Sequence, residues 1–140
     1  MSAPGLLLDT HAWLWLGDGT NARMRRGALQ AIERAGKEHR VFVSPISVWE
    51  IGMLVARKRI SLAVTVDEWL EQSFAPDRLQ LLALDAHTAL ESTRLPGVVH
   101  GDPADRLLIA AARVHGLRLT TADRKSLAYG EAGHVDTLAL

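Results

Sequence analysis

Short apolar runs alternate with amphipathic stretches along the whole chain, the rhythm of successive βα units. Leu6, Leu7 and Leu8 follow Gly5 as an unbroken apolar strand. A short helix is predicted over 10–16, then a Gly17-Asp18-Gly19-Thr20 turn, a more polar helix over about 22–35, and a β-branched strand at Val41-Phe42-Val43. Ser44 then Pro45 is a helix start, with serine capping and proline at the first helical position, and this helix should end near 57–59. Val66, Trp69, Leu70 and Phe74 share one stripe of a helix over 65–74, which an apolar segment at 79–84 follows. Further helices are expected over 85–94, from Asp102 onward and near 125–129, with strands at 117–121 and around 135–138. Such alternation predicts an α/β fold, a parallel sheet covered on both faces by helices, with its site beyond the carboxyl ends of the strands.

Four acids fall where that architecture would gather them. Asp9 ends the first strand, Glu50 lies inside the helix that begins at Pro45, Asp105 opens the helix after Asp102-Pro103, and Asp123 follows the strand at 117–121. Carboxylates crowded at one sheet edge repel one another unless a divalent cation lies between them, which points to a Mg²⁺ or Mn²⁺ site acting on phosphate esters. Each acid also has a structural reading. Asp9 reads equally as a helix cap, and Asp123 equally as a cap for the helix after it. Glu50 has Ile46, Met53 and Leu54 as its helical neighbours, so it is either an ion-paired carboxylate, with Arg106 as the natural partner, or a metal ligand. Asp102 reads as an N-cap, whereas Asp105 shares a face with Leu108, Ile109 and Ala112 and should point inward. Asp85 resembles the others in position, yet nothing else marks it, and it is read as a cap.

Length and composition narrow the class. With 140 residues the chain is expected to form one domain over 1–140. It is 48% hydrophobic and 23% charged, and no apolar run is long enough to span a bilayer. The N-terminus lacks a signal-peptide pattern and there are no cysteines, so a cytoplasmic protein without disulfides or thiolate metal sites is expected. Sixteen basic and sixteen acidic side chains cancel, which removes the charge signature of an avid, non-specific nucleic-acid binder.

The stretches Leu6-Leu7-Leu8-Asp9-Thr10-His11-Ala12-Trp13, Ser47-Val48-Trp49-Glu50-Ile51-Gly52, His100-Gly101-Asp102-Pro103-Ala104-Asp105-Arg106 and Leu119-Thr120-Thr121-Ala122-Asp123 together resemble the four acidic motifs of PIN-domain nucleases, closest to bacterial toxins of the VapC type. The resemblance implies a three-layer sandwich with a central five-stranded parallel sheet. It implies that Asp9, Glu50, Asp105 and Asp123 bind Mg²⁺ or Mn²⁺ and hydrolyse RNA, with Thr121 as a polar neighbour. It also implies homodimerisation and neutralisation by a small antitoxin whose C-terminal segment occupies the site groove. His11 reads as a substrate contact or as a packing residue, and Arg106 as a phosphate contact or as the partner of Glu50. Clusters at Arg23-Met24-Arg25-Arg26 and Arg57-Lys58-Arg59 read as RNA contacts or as solvated helix faces. Trp13 and Trp15 cannot share a helix face, so one is expected to reach a partner surface.

Two other phosphate chemistries fit less well. A haloacid-dehalogenase-type phosphatase requires a second aspartate where His11 stands, and a phosphoacceptor receiver domain leaves Glu50 unexplained. A PIN nuclease that processes RNA without being a toxin, and a non-catalytic PIN-like binding module, are the remaining alternatives.

Overall fold

Side chains along the first strand alternate between two cores, and this sets the layering. In the computed structural model, which describes residues 4–17, 21–76, 78–99 and 101–140, β1 is Leu6–Leu8. Leu6 and Leu8 enter one core and Leu7 enters the other, as the two-residue period of a strand requires. All three are essentially inaccessible to solvent, so helices must cover both faces.

The chain continues through α1 (Thr10–Gly17), a 3₁₀ turn at Asn21–Arg23, α2 (Arg26–Lys37), β2 (Val41–Val43), α3 (Pro45–Ala56), α4 (Val66–Ser73) and β3 (Gln80–Leu81). It then forms α5 (Ala86–Glu91), α6 (Pro103–His115), β4 (Arg118–Thr121), α7 (Arg124–Glu131) and β5 (Thr137–Ala139). The five strands are all parallel, in the order β3-β2-β1-β4-β5. This is the expected three-layer sandwich. Side chains from α1, α2, α3 and α4 fill the first core, and α6 and α7 fill the second. Trp13 is buried at the centre of the first, its ring 4.5 Å from that of Trp69 and 5.8 Å from that of Phe74.

Local chemistry explains the element ends. Ser44 Oγ accepts from Ile46 N and Pro45 follows it, so α3 starts where the sequence places it. Thr65 caps α4, Asp85 caps α5 and Asp102 caps α6, while Gly116 closes α6 in the left-handed conformation that glycine tolerates best. Four boundaries differ from expectation. The second helix begins at Arg26 rather than near 22, because Met24 turns into the first core and Arg25 is extended. Only two residues of the apolar segment 79–84 pair as β3, and the helix after Asp85 stops at Glu91. The last strand starts at Thr137 because Val135 is taken up by the second core. The expected turn at 18–20 lies outside the described residues. Among the described residues no helix is long and apolar enough to cross a membrane.

Candidate active site

From β1 the chain steps to β2 on one side and later to β4 on the other, so the sheet order reverses at the β1/β4 boundary. Parallel sheets open a crevice at such a point, beyond the strands' carboxyl ends. Asp9 N donates to Thr120 O at 3.1 Å, which extends the β1–β4 ladder and fixes Asp9 at this edge. Asp123 stands two residues beyond the end of β4.

Thr121 joins the two. Its Oγ1 accepts from Asp123 N at 2.9 Å and donates to Asp9 Oδ2 at 2.5 Å. The other Asp9 oxygen, Oδ1, accepts from Ala12 N at 2.8 Å and caps α1. Asp123 Oδ2 accepts from both Ser126 N and Ser126 Oγ, capping α7. Both acids are therefore caps. Some of the Asp9 residue stays exposed, but its carboxyl is desolvated, and burial raises its pKa against the lowering effect of the Thr121 and Ala12 hydrogen bonds.

Glu50 is half-buried on α3. Thr10 Oγ1, itself buried, donates to Glu50 Oε1 at 2.5 Å and lies 3.1 Å from Ser47 Oγ, so the start of α1 holds the carboxylate. Thr10 and Ser47 went unmarked in the sequence. Their only signals are position: Thr10 follows Asp9, and Ser47 stands one helical turn before Glu50.

Asp105 sits in the first turn of α6, with its N–H accepted by the capping Asp102 Oδ1 at 3.1 Å. Its pKa is pushed up to about 7, first by burial and then by the negative charges of Asp102, Asp123, Glu50 and Asp9. The charges of the other three acids of the sequence pattern thus all bear on Asp105. Arg106 faces elsewhere. Its Nε donates to Ser92 O at 2.9 Å and ties α6 to the end of α5, and among the described residues no ion pair joins it to Glu50. His11 is exposed next to Asp9, whose carboxylate its charge stabilises.

The donor set consists of hard carboxylate oxygens, the type that suits Mg²⁺ or Mn²⁺. Among the described residues, no three acid or imidazole groups converge closely enough to make a closed ligand cage. What the structure presents is a set of carboxylates held by hydroxyls near the carboxyl ends of β1 and β4.

A family model described as "PIN domain" matches residues 6–131. The chain belongs to the PIN-domain family. A relative of this PIN domain, ribonuclease VapC22 of Mycobacterium tuberculosis, is 37% identical over 120 residues, which cover 86% of this chain and 88% of that protein. Two solved structures share the fold. VapBC2 from Rickettsia felis, bound to a promoter DNA fragment, superposes with a TM-score of 0.68 at 14% identity, covering 96% of this chain and 97% of that one. FitAcB from Neisseria gonorrhoeae gives 0.64 at 22% identity, covering 95% and 96%.

Proposed function

We propose that this PIN-domain protein is a Mg²⁺- or Mn²⁺-dependent endoribonuclease, the toxin of a type II toxin–antitoxin pair, and that a small cognate antitoxin neutralises it. The observation that carries the reading is the hydrogen-bonded frame in which Thr121 joins Asp9 to Asp123 and Thr10 holds Glu50, beside an Asp105 whose pKa is pushed up to about 7 by burial and the neighbouring carboxylates. Such crowding is unfavourable in the absence of a cation and becomes an asset in its presence. The ribonuclease relative and the fold shared with the VapBC2 and FitAcB structures support the assignment.

Asp9, Glu50, Asp105 and Asp123 would hold the cation. Bound there, such a cation would supply Lewis acidity to activate a water and would offset charge on the scissile phosphate. The chain's own groups prepare the geometry. Thr121 and the Ala12 amide hold both oxygens of Asp9, Ser126 holds Asp123, and Thr10 holds Glu50. These three carboxylates are therefore oriented before substrate or metal arrives, which removes ordering from the reaction's cost.

Cleavage of RNA by the purified protein with Mg²⁺ or Mn²⁺, abolished in EDTA, tests the mechanism, and undiminished cleavage in chelator refutes it. Expression should slow bacterial growth, and Asp9→Asn or Glu50→Gln should relieve the effect. Continued toxicity of either variant would remove that residue from the site.

A further inference from the structure

The rim of the acidic edge carries two cations where a helix ordinarily avoids them. Arg124 and Lys125 are the first two residues of α7, at the positive pole of its dipole, where basic side chains are unfavourable. Both are exposed, and among the described residues neither has an acidic partner. A local rule broken without structural compensation is a mark of function. The two follow Asp123 directly and so stand beside one of the acids.

Lys125 also forms the head of a groove of about 420 Å³ along the outer side of α7, walled by Val98, Val99, Ala128 and Ala132. The wall is built firmly. Tyr129 Oη donates to the Pro96 carbonyl, and the rings of Tyr129 and His134 lie 4.7 Å apart. Gly97, at φ +70°, packs so closely on His134 that a Cβ there would come within 2.6 Å of Nε2. Val98, held out by this anchored turn, is 98% exposed. A fixed apolar surface beside two unpaired cations matches a nucleotide, whose base is apolar on its faces and whose phosphate is anionic.

We propose that Arg124, Lys125 and this groove form a subsite for the nucleotide that flanks the scissile bond in single-stranded RNA. The cations contact its phosphate, and Val98 and Ala128 cover its base. The proposal rests on the ribonuclease reading and adds the residues that offset the repulsion between an acidic site and a polyanion.

The test compares wild type, Arg124→Ala/Lys125→Ala and Val98→Asp, using a labelled single-stranded RNA of mixed sequence. Steady-state cleavage and fluorescence anisotropy are followed across salt concentration. Each phosphate contact to a single strand contributes about 0.7 to the logarithmic salt slope, so the double variant, which gives up one phosphate, should lower that slope by about 0.7. Extrapolated between about 1 M and about 0.15 M salt, this is roughly a fourfold rise in KM at the lower salt, with kcat nearly unchanged. Val98→Asp should raise KM severalfold. Melting temperature should stay level or rise in the double variant, because alanine removes an adverse charge from the helix start. Wild-type KM and salt slope in the double variant would overturn the subsite while leaving the ribonuclease reading intact, and the groove would then fit a protein partner better. If wild type neither binds nor cleaves RNA, both readings fall.

Discussion

Asp105→Asn should make the metal-free protein more stable at neutral and alkaline pH while abolishing its activity. The substitution keeps the side chain's size, keeps the N–H that Asp102 accepts, and removes the charge. The displacement of the Asp105 pKa from 3.8 to about 7 gives the sign. A carboxyl whose folded pKa lies above its unfolded value adds no penalty below pH 3.8, grows costly as pH rises through the interval and carries its full cost above pH 7. Taken whole, the displacement corresponds to about 4 kcal/mol. Asp105 is only half-buried, so solvent screening reduces this to about 1–2 kcal/mol. Urea denaturation in EDTA should therefore show Asp105→Asn more stable than wild type by that margin near pH 8, and equal to it near pH 4. Added Mn²⁺ should reverse the order. It should stabilise wild type by roughly 2.7 kcal/mol at a hundredfold excess over its dissociation constant and leave the variant unmoved. A variant that is less stable than wild type at pH 8, or that keeps the full Mn²⁺ response, would refute the reasoning.

Thr121→Val removes the hydroxyl that bridges Asp9 and Asp123 at a buried position, and should cost about 1–3 kcal/mol in denaturant titration together with most of the cleavage rate. An unchanged rate would show that the bridge does not position Asp9. Asp85→Ala should lower the melting temperature through loss of its cap on Thr88, with the Mn²⁺ response intact, which separates capping from metal binding. We further predict a homodimer, with Trp49, 59% exposed on α3 next to Glu50, as a residue its interface would cover. Light scattering that gives a monomer at micromolar concentration would count against it.

The strongest signals in the sequence were local ones. The run Leu6 to Leu8 could only be a strand buried on both faces, and Ser44-Pro45 wrote the start of α3 in two residues. The order of the four acids along the chain marked a candidate site, because a parallel sheet brings the carboxyl ends of its strands and the helices that start there to one edge. Information that depends on distant partners was invisible. Nothing between 79 and 84 says which residues pair, since all but one are apolar, and the register of Gln80 and Leu81 is dictated by Phe42 and Val43. Arg106 could be drawn toward Glu50 on paper because both are charged. In the fold α5 packs along α6, and the Ser92 carbonyl at the end of α5 takes the Arg106 guanidinium. Of the two tryptophans on α1, Trp13 is wholly interior and Trp15 packs against the same core with Arg23 over its ring, so the outward-facing tryptophan is Trp49.

Thr10 exposes the deeper reason that orienting groups escape a linear reading. Its hydroxyl meets a carboxylate forty positions away, and Thr121 reaches one 112 positions away. Neither pairing leaves a periodic trace. The same geometry dissolves the choice between cap and ligand that the sequence left open for Asp9 and Asp123. A carboxylate has two oxygens and about four lone-pair directions, enough to accept amide hydrogen bonds and still face a cation. Capping restricts the side chain to one rotamer, so the entropy of ordering it is lost during folding and is not lost again when metal binds. The helix starts of α1 and α7 therefore prepare the acids for the role proposed for them, and a change at either cap should weaken metal affinity even where helix stability barely moves.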